Sequence, residues 1–332
     1  MTMNKQQTIF SAVQPSGELH IGNYLGALKN FLELQNKYRC FFFIADYHSI
    51  TGDYDPEEKS KQIFDLALDF LAIGLDPKKC VIAVQSQIPE HTELAWIFNT
   101  VTPISELRRM TQFKDKSRDQ EKNINMGLFD YPILQAADIL MYKTDLVPVG
   151  QDQVQHIELT RKIARFFNNK FGQTFPEPKD IITETPKIMS LTDPTKKMSK
   201  SHGPKSYLGI NDEPEVIQNK LKKAVTDAGV AAVGETSPAI NNLFAILENL
   251  GKPEHLERFK KERREGIIKY SELKKVLAED IADYFAPFRK KRKELESDPE
   301  YVKKVLSEGA EKARTTARET MAEVRKKIGL IS

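Results

Sequence analysis

Two short runs in the 332-residue chain hold residue types suited to a polyphosphate. The first is Gln14-Pro15-Ser16-Gly17, a turn leading into a helix that should start near Leu19. His20 and Asn23 are three apart, so both project from one face of its first turn. Free backbone N–H groups at a helix start favour an anion, and a neutral donor pair beside them suits a nucleotide phosphate. A surface histidine beside an asparagine cap explains the pattern about as well. The second run is Lys196-Lys197-Met198-Ser199-Lys200-Ser201, flanked by Asp193-Pro194-Thr195 and His202-Gly203-Pro204. Turn formers on both sides imply a flexible loop. Lys197 and Lys200 could close on a polyphosphate and stabilise its leaving group. A solvated basic loop is the commoner fate of such a cluster. Neither GxxxxGK[ST] nor GxGxxG occurs, which weakens nicotinamide and flavin readings.

A third feature lies after Asp130. Tyr131, Gln135 and Asp138 are spaced four and three apart, so they share one helix face amid Ile133, Leu134, Ala136, Ala137, Ile139 and Leu140. A polar stripe on an apolar helix demands partners, and a satisfied buried aspartate is the plain explanation. Farther on, Asp152 with Gln155 three later has the form of a capping box.

The elements that must carry these residues alternate. Thr8–Val13, Cys40–Ala45 and Val81–Val84 read as buried strands. Helical spacing runs from His20 to about Lys37, from about Pro56 to Ala72, and from near Glu90. Such alternation predicts a parallel sheet covered on both faces by right-handed crossovers. Thr111–Met126 is polar and reads as a mobile loop. Helices follow near Asp130–Tyr142 and Asp152–Phe167, with a short extended piece in Asp145–Gly150 between them. A Pro- and Thr-rich connector comes after Phe171. From Glu213 onward the pattern is helical only. The expected fold is α/β, a Rossmann-like parallel-sheet domain over 1–204 followed by an α-helical region over 205–332.

Composition sets outer bounds. Hydrophobic residues are 40% and charged residues 29%, which builds a core and excludes disordered and collagen-like classes. The densest apolar stretch, Phe41–Ala45, is too short to span a membrane, and MTMNKQQ has no apolar run behind it, so no signal peptide is expected. Cys40 and Cys80 form no CxxC pair, consistent with core thiols in a reducing cytoplasm, and no structural zinc site is expected. Net charge is only +3, but Pro287–Ser332 holds 13 Lys or Arg against 8 Asp or Glu, including the run Arg289–Lys293. A solvated face or an RNA contact both fit that run.

Taken together, the two phosphate-type runs resemble the signatures of class I aminoacyl-tRNA synthetases. His20-Ile21-Gly22-Asn23 is similar to the HIGH motif, in the HIGN form of the tyrosine and tryptophan branch, and Lys197-Met198-Ser199-Lys200-Ser201 matches KMSKS in every letter. Their separation of about 175 residues is similar to that of the branch. The likeness is strongest to its bacterial-type tryptophan members. It is nearly continuous from Ile9 to about Asp227 and resumes near Gly309-Ala310. It includes Met110-Thr111-Gln112-Phe113-Lys114, Ala136-Ala137-Asp138-Ile139-Leu140, Val147-Pro148-Val149-Gly150 and Gln155-His156.

The resemblance implies activation of L-tryptophan with ATP, carried with Mg²⁺, and transfer to tRNA(Trp) by a cytoplasmic homodimer. It implies His20, Asn23, Lys197 and Lys200 as catalytic. It implies Gln14, Pro15, Ser16, Gly22, Asn23, Gly150, Gln151, Asp152, Ile188 and Lys197 to Ser201 (Met198, Ser199 and Lys200 included) at ATP. It puts Phe10, Tyr131, Gln135, Asp138 and Gln153 at tryptophan. An indole offers one donor and no acceptor, so the Asp138 carboxylate suits it. Tyrosine enzymes usually place a Tyr where Phe10 stands. The helical region would bind the anticodon, with the last helix, 308–327, packing back on the catalytic domain. Gln151, Gln135 and Ala12 depart from the usual Glu, Met and Gly. Competing readings are a tyrosine-specific synthetase, a small-metabolite nucleotidylyl transferase, and a non-catalytic RNA-binding relative.

Overall fold

The computed structural model describes residues 6–111, 124–182, 186–226 and 237–331. They form two compact units. The first comprises Met1–Gly17, Asn30–Glu184 and Asp298–Ser332, and the second Glu18–Lys29 and Thr185–Ser297. The expected division at 204/205 cuts the chain once, whereas the units interleave. Composition registers the change to all-helical sequence, but not the return of the last helix to the sheet.

The first unit holds a five-stranded sheet of order β3-β2-β1-β4-β5, parallel throughout. The strands are β1 (Thr8–Val13), β2 (Arg39–Ile44), β3 (Cys80–Val84), β4 (Leu146–Val149) and β5 (Lys179–Ile182). The apolar runs Cys40–Ile44 and Ile9–Phe10 are buried because crossover helices cover the sheet. The order is that of a doubly wound sheet, in which strands lie on both sides of β1 and ligands gather at the carboxyl ends. β5 fell inside the expected connector. It is a four-residue edge strand with no buried side chain, so it carries no apolar periodicity.

Helices follow in order: α1 (Ile21–Asn23), a π-helical turn (Tyr24–Leu28), α2 (Lys29–Leu34), α3 (Pro56–Ala72), α4 (Glu90–Asn99), α5 (Ile104–Arg108), α6 (Met126–Met141) and α7 (Val154–Phe171). α6 starts four residues before Asp130, because Asn125 caps it by accepting from Leu128 N–H at 3.0 Å. Residues 112–123, most of the expected mobile loop, lie outside the described residues. Gln153, not Asp152, is the N-cap residue of α7 and caps without its side chain, so the capping box does not form. Gln155 instead accepts from Thr111 N–H at 3.1 Å.

The second unit holds α8 (Pro214–Lys223), α9 (Pro238–Leu250), α10 (Pro253–Arg264) and α11 (Tyr270–Glu296). Its start and middle are tied as a short antiparallel pair: Ile21 N–H donates to Leu208 O at 2.9 Å and Ile210 N–H to Leu19 O at 3.0 Å.

The last helix, α12 (Pro299–Ile328), belongs to the sheet unit, where Ala310, Ala313, Ala317, Met321 and Val324 join the core containing Phe41 and Phe43. Gly309 permits the approach: a Cβ there would sit 1.8 Å from the Ile82 carbonyl oxygen of β3. Gly309→Ala must therefore push the helix off the strand. Thermal unfolding is expected to show a loss of about 1–3 kcal/mol. Wild-type stability would show that this approach is not needed.

Candidate active site

Polar residues follow the carboxyl ends of β1 to β4. After β1 come Gln14 and Ser16, both exposed, and the buried Pro15. Pro15 O accepts from Lys59 Nζ at 3.3 Å. After β4, Gly150 leads to Gln151 and Asp152, both exposed. Gln153 is half-buried and donates to Asp152 Oδ2 at 2.9 Å. After β2 lies His48, and directly after β3 lies Gln85.

These last two meet Asp138 of α6, which is 2% exposed. His48 Nε2 lies 2.8 Å from Asp138 Oδ2 and His91 Nδ1 2.5 Å from Oδ1. Gln85 Nε2 donates to both oxygens at 2.8 and 2.9 Å. Burial alone would raise the Asp138 pKa. Hydrogen bonds from His48 and His91, with the electrostatic pull of the two rings, outweigh it and bring the carboxyl down to about 2. Behind His91, Tyr142 Oη lies 2.7 Å from Nε2. The aspartate is therefore an anion ringed by donors. A carboxylate has about four acceptor positions, and because Gln85 divides between both oxygens the three donors spread over all of them, so a further N–H would be accepted at the expense of that divided bond.

Tyr131, one helical turn and more from Asp138, is buried as well. Its hydroxyl lies 2.9 Å from His156 Nε2, and its ring meets the His48 ring edge-on at 6.3 Å. Burial pushes its hydroxyl up to about 12, so it stays a neutral donor. Gln135 is half-buried between them. Phe10, 3% exposed, lies in the aromatic cluster of Phe43 and Tyr142. Sequence reading missed His48, Gln85, His91 and Tyr142. The available signal was a polar residue just past an apolar strand at Gln85 and His48. His91 was also legible, as a lone polar residue on the apolar face of Leu94 and Phe98.

The second unit brings together the two runs that lie about 175 residues apart. His20 caps α1 reciprocally: its Nδ1 accepts from Asn23 N–H at 3.3 Å, and Asn23 Oδ1 accepts from His20 N–H at 3.1 Å. Gly22 lets the ring fold back, since a Cβ there would lie 2.9 Å from Nδ1 and 3.9 Å from Met198 Cβ. Burial, then the charges of Lys200 and Lys197, lower the His20 pKa to about 4. The imidazole is thus neutral at pH 7, and because Nδ1 accepts from Asn23 N–H its one proton sits on Nε2. Asparagine capping and proximity to the lysines hold together here, so the capping reading and the phosphate reading are compatible.

The lysine run is better pinned than a flexible loop. Met198 is 3% exposed, and its N–H donates to the carbonyl of buried Ile188 at 3.0 Å. Asn242 holds Met189 N–H and O at 2.8 and 2.9 Å. Ser199 accepts from Ser201 N–H, and their hydroxyls lie 2.8 Å apart. Met198 and Ile188 are therefore anchors whose side chains face inward, while Lys197 is exposed and Lys200 half-buried.

The basic run on α11 does not make a continuous basic face. Arg289 and Arg292 are buried, Arg289 donating to backbone carbonyls and Arg292 pairing with Glu296. Lys293 pairs with Glu213 at 2.7 Å. Among the described residues no three His, Cys, Asp or Glu side chains converge to hold a metal ion, and no helix is long and apolar enough to cross a membrane.

A parallel sheet with polar carboxyl ends, a HIGN turn and a KMSKS run define a nucleotide-using class I fold. The model of tRNA synthetases class I (W and Y) matches residues 2–286, and the chain belongs to that family. Within it, the chain is 47% identical over 327 residues to the tryptophan–tRNA ligase of Caldanaerobacter subterraneus subsp. tengcongensis, covering 97% of this chain and 98% of the relative. It is 46% identical over 331 residues to that of Rickettsia conorii, covering 98% and 99%. The tryptophanyl-tRNA synthetase of Campylobacter jejuni, solved with ADP and tryptophan, superposes with a TM-score of 0.86 at 35% identity, covering 98% of this chain and 100% of that one.

Proposed function

We infer that the chain is a tryptophan–tRNA ligase, which activates L-tryptophan with ATP and transfers it to tRNA(Trp). The observation that carries this is the convergence, in one unit, of neutral His20 and Asn23 with the Met198-centred lysine run. Full-length likeness to tryptophan–tRNA ligases supports the amino acid. So does Asp138, an anionic acceptor matched to an indole donor.

The amino-acid carboxylate is ionised at neutral pH, so it needs no general base. One of its oxygens bonds to the α-phosphorus as the bond to the bridging β-phosphate oxygen breaks, giving tryptophanyl-adenylate and pyrophosphate. Catalysis is then positioning and charge stabilisation. His20 and Asn23 would meet phosphate and ribose, and Lys197 and Lys200 the departing pyrophosphate. Gln14, Pro15, Ser16, Gly22, Gly150, Gln151, Asp152, Ser199, Ser201 and the backbone at Ile188 and Met198 would complete the ATP contacts. Asp138 would accept the indole N–H, with Phe10 and Gln135 beside it and Tyr131 and Gln153 at the amino group. Mg²⁺ would arrive on ATP as its counter-ion. Residues 205–297 are proposed to read the anticodon. The reaction would take place in the cytoplasm.

ATP–pyrophosphate exchange with each of the twenty amino acids tests the reading. Exchange with tryptophan alone is expected. Exchange with tyrosine would overturn the specificity, and none with any amino acid would favour a non-catalytic relative.

A symmetric homodimer is also proposed. Trp96, the single tryptophan, is 71% exposed on α4, and Ile104 at the start of α5 is 58% exposed. Such side chains suit a buried interface. Sedimentation velocity should give twice the chain mass, falling to one mass in Trp96→Glu. A monomeric wild type would end this proposal.

A further inference from the structure

Asp138 and Phe10, both proposed above as pocket groups, are joined by two side chains with no part in the chemistry. His91 is fully buried, with Nδ1 at 2.5 Å from Asp138 Oδ1 and Nε2 at 2.7 Å from Tyr142 Oη. Tyr142 is 1% exposed. Its ring stacks on Phe10 at 5.6 Å with planes 7° apart, and on Phe41 at 4.3 Å. The connection therefore runs unbroken from the carboxylate to the aromatic wall.

Ionised Asp138 can only accept, so His91 Nδ1 donates. His91 Nε2 and the Tyr142 hydroxyl then share the second bond, the one hydrogen bond of that hydroxyl among the described residues. On the opposite side, His48 and Gln85 donate to the remaining carboxylate positions. All donors thus converge on Asp138, and its aim is set from behind by a group that is itself locked in an aromatic stack.

We propose that His91 and Tyr142 are positioning residues for amino-acid selection, fixing the Asp138 acceptor in register with the Phe10 ring so that an incoming indole meets a rigid acceptor-and-ring pair. This rests on the reading of Asp138 and Phe10 as pocket groups. A rigid pair discriminates between aromatic substrates by the placement of one N–H. A mobile carboxylate would accept from other donors too.

The test is ATP–pyrophosphate exchange on full-length variants, with KM measured separately for tryptophan and ATP. His91→Asn keeps a donor where Nδ1 stands and loses the tyrosine. His91→Leu loses both bonds. Tyr142→Phe keeps the stack and loses only the hydroxyl. One lost buried hydrogen bond should raise the tryptophan KM about tenfold in Tyr142→Phe, and two about 100-fold in His91→Leu. His91→Asn should fall back to about the Tyr142→Phe value, and the ATP KM should stay within about twofold throughout.

Three results would overturn the relay: His91→Asn no better than His91→Leu, both KM values rising in step, or a silent Tyr142→Phe. If His91→Leu does not fold, the other two variants decide. Asp138→Asn separates the layers. Should it leave the tryptophan KM unchanged, the pocket reading fails. Should it raise that KM while Tyr142→Phe is silent, only the relay fails.

Discussion

Lys200→Ala is expected to slow amino-acid-dependent ATP–pyrophosphate exchange about 100-fold or more, roughly 3 kcal/mol of lost charge stabilisation. Lys200 is half-buried in a short turn that Ser199 caps through Ser201 N–H. The backbone that carries its charge is therefore held in place, which fits the role proposed for it at the pyrophosphate. Tryptophan affinity should change far less, since the amino-acid pocket draws on other residues. Unchanged activation kinetics would remove Lys200 from the role proposed for it. The same substitution has a second readout. Lys200 is the largest electrostatic contributor, after burial, to the lowered pKa of His20. An NMR titration should find the wild-type imidazole near 4 and the variant's higher, still below the usual 6.5 because burial remains. The sign for stability follows from proton counting. Between 6.5 and about 4 the unfolded chain binds a proton at this site that the folded chain does not. The group's contribution is thus full above 6.5 and falls as pH drops through that window. Lys200→Ala should narrow the window from its acid side.

Asp138→Asn should cost comparably, but on the amino-acid side. The carboxylate accepts from His48, His91 and Gln85. An amide turns one of those acceptor atoms into a donor, so N–H groups face each other in the core. Breaking one partner out of a buried charged cluster costs about 3–5 kcal/mol of stability, and losing the charged acceptor for the indole N–H should separately cost up to about 3 kcal/mol, about a 100-fold loss of kcat/KM for tryptophan. Selection of tryptophan over tyrosine and phenylalanine should fall as well, because the anionic acceptor is gone. The ATP KM should move little. Retained selectivity in a folded variant would exclude Asp138 as the indole's partner. Acid unfolding gives an independent check. With its pKa lowered to about 2 in the folded state, Asp138 adds stability above the ordinary carboxyl range that is lost as pH falls through about 2. The asparagine variant should lack that step.

Local sequence determined a good deal. Apolar runs such as Cys40–Ile44 had to be strands covered on both faces, since no polar face was available for water. The first helix was expected near Leu19 and starts at Ile21, where His20 caps it, and the helix expected from about Pro56 starts there, capped by Asp55. The HIGN and KMSKS runs were legible as letters, and they carried the family. β5 was not legible, because a four-residue edge strand needs only a partner's backbone and leaves no side-chain periodicity.

Tertiary structure alone decided the rest. Gln85, His91 and Tyr142 acquire meaning only where β3, α4 and α6 converge on one buried carboxylate, for no spacing along the chain encodes which polar groups satisfy each other. The run Arg289–Lys293 reads as uniformly basic, yet packing turns Arg289 and Arg292 inward, because a helix distributes consecutive residues around its axis and burial chooses among them. By composition the last helix reads as a continuation of the helical region, and only the family resemblance implied its return to the catalytic domain. It joins the sheet because Gly309 and its neighbouring alanines are small enough to lie against β3, a fit set by shape that composition does not register.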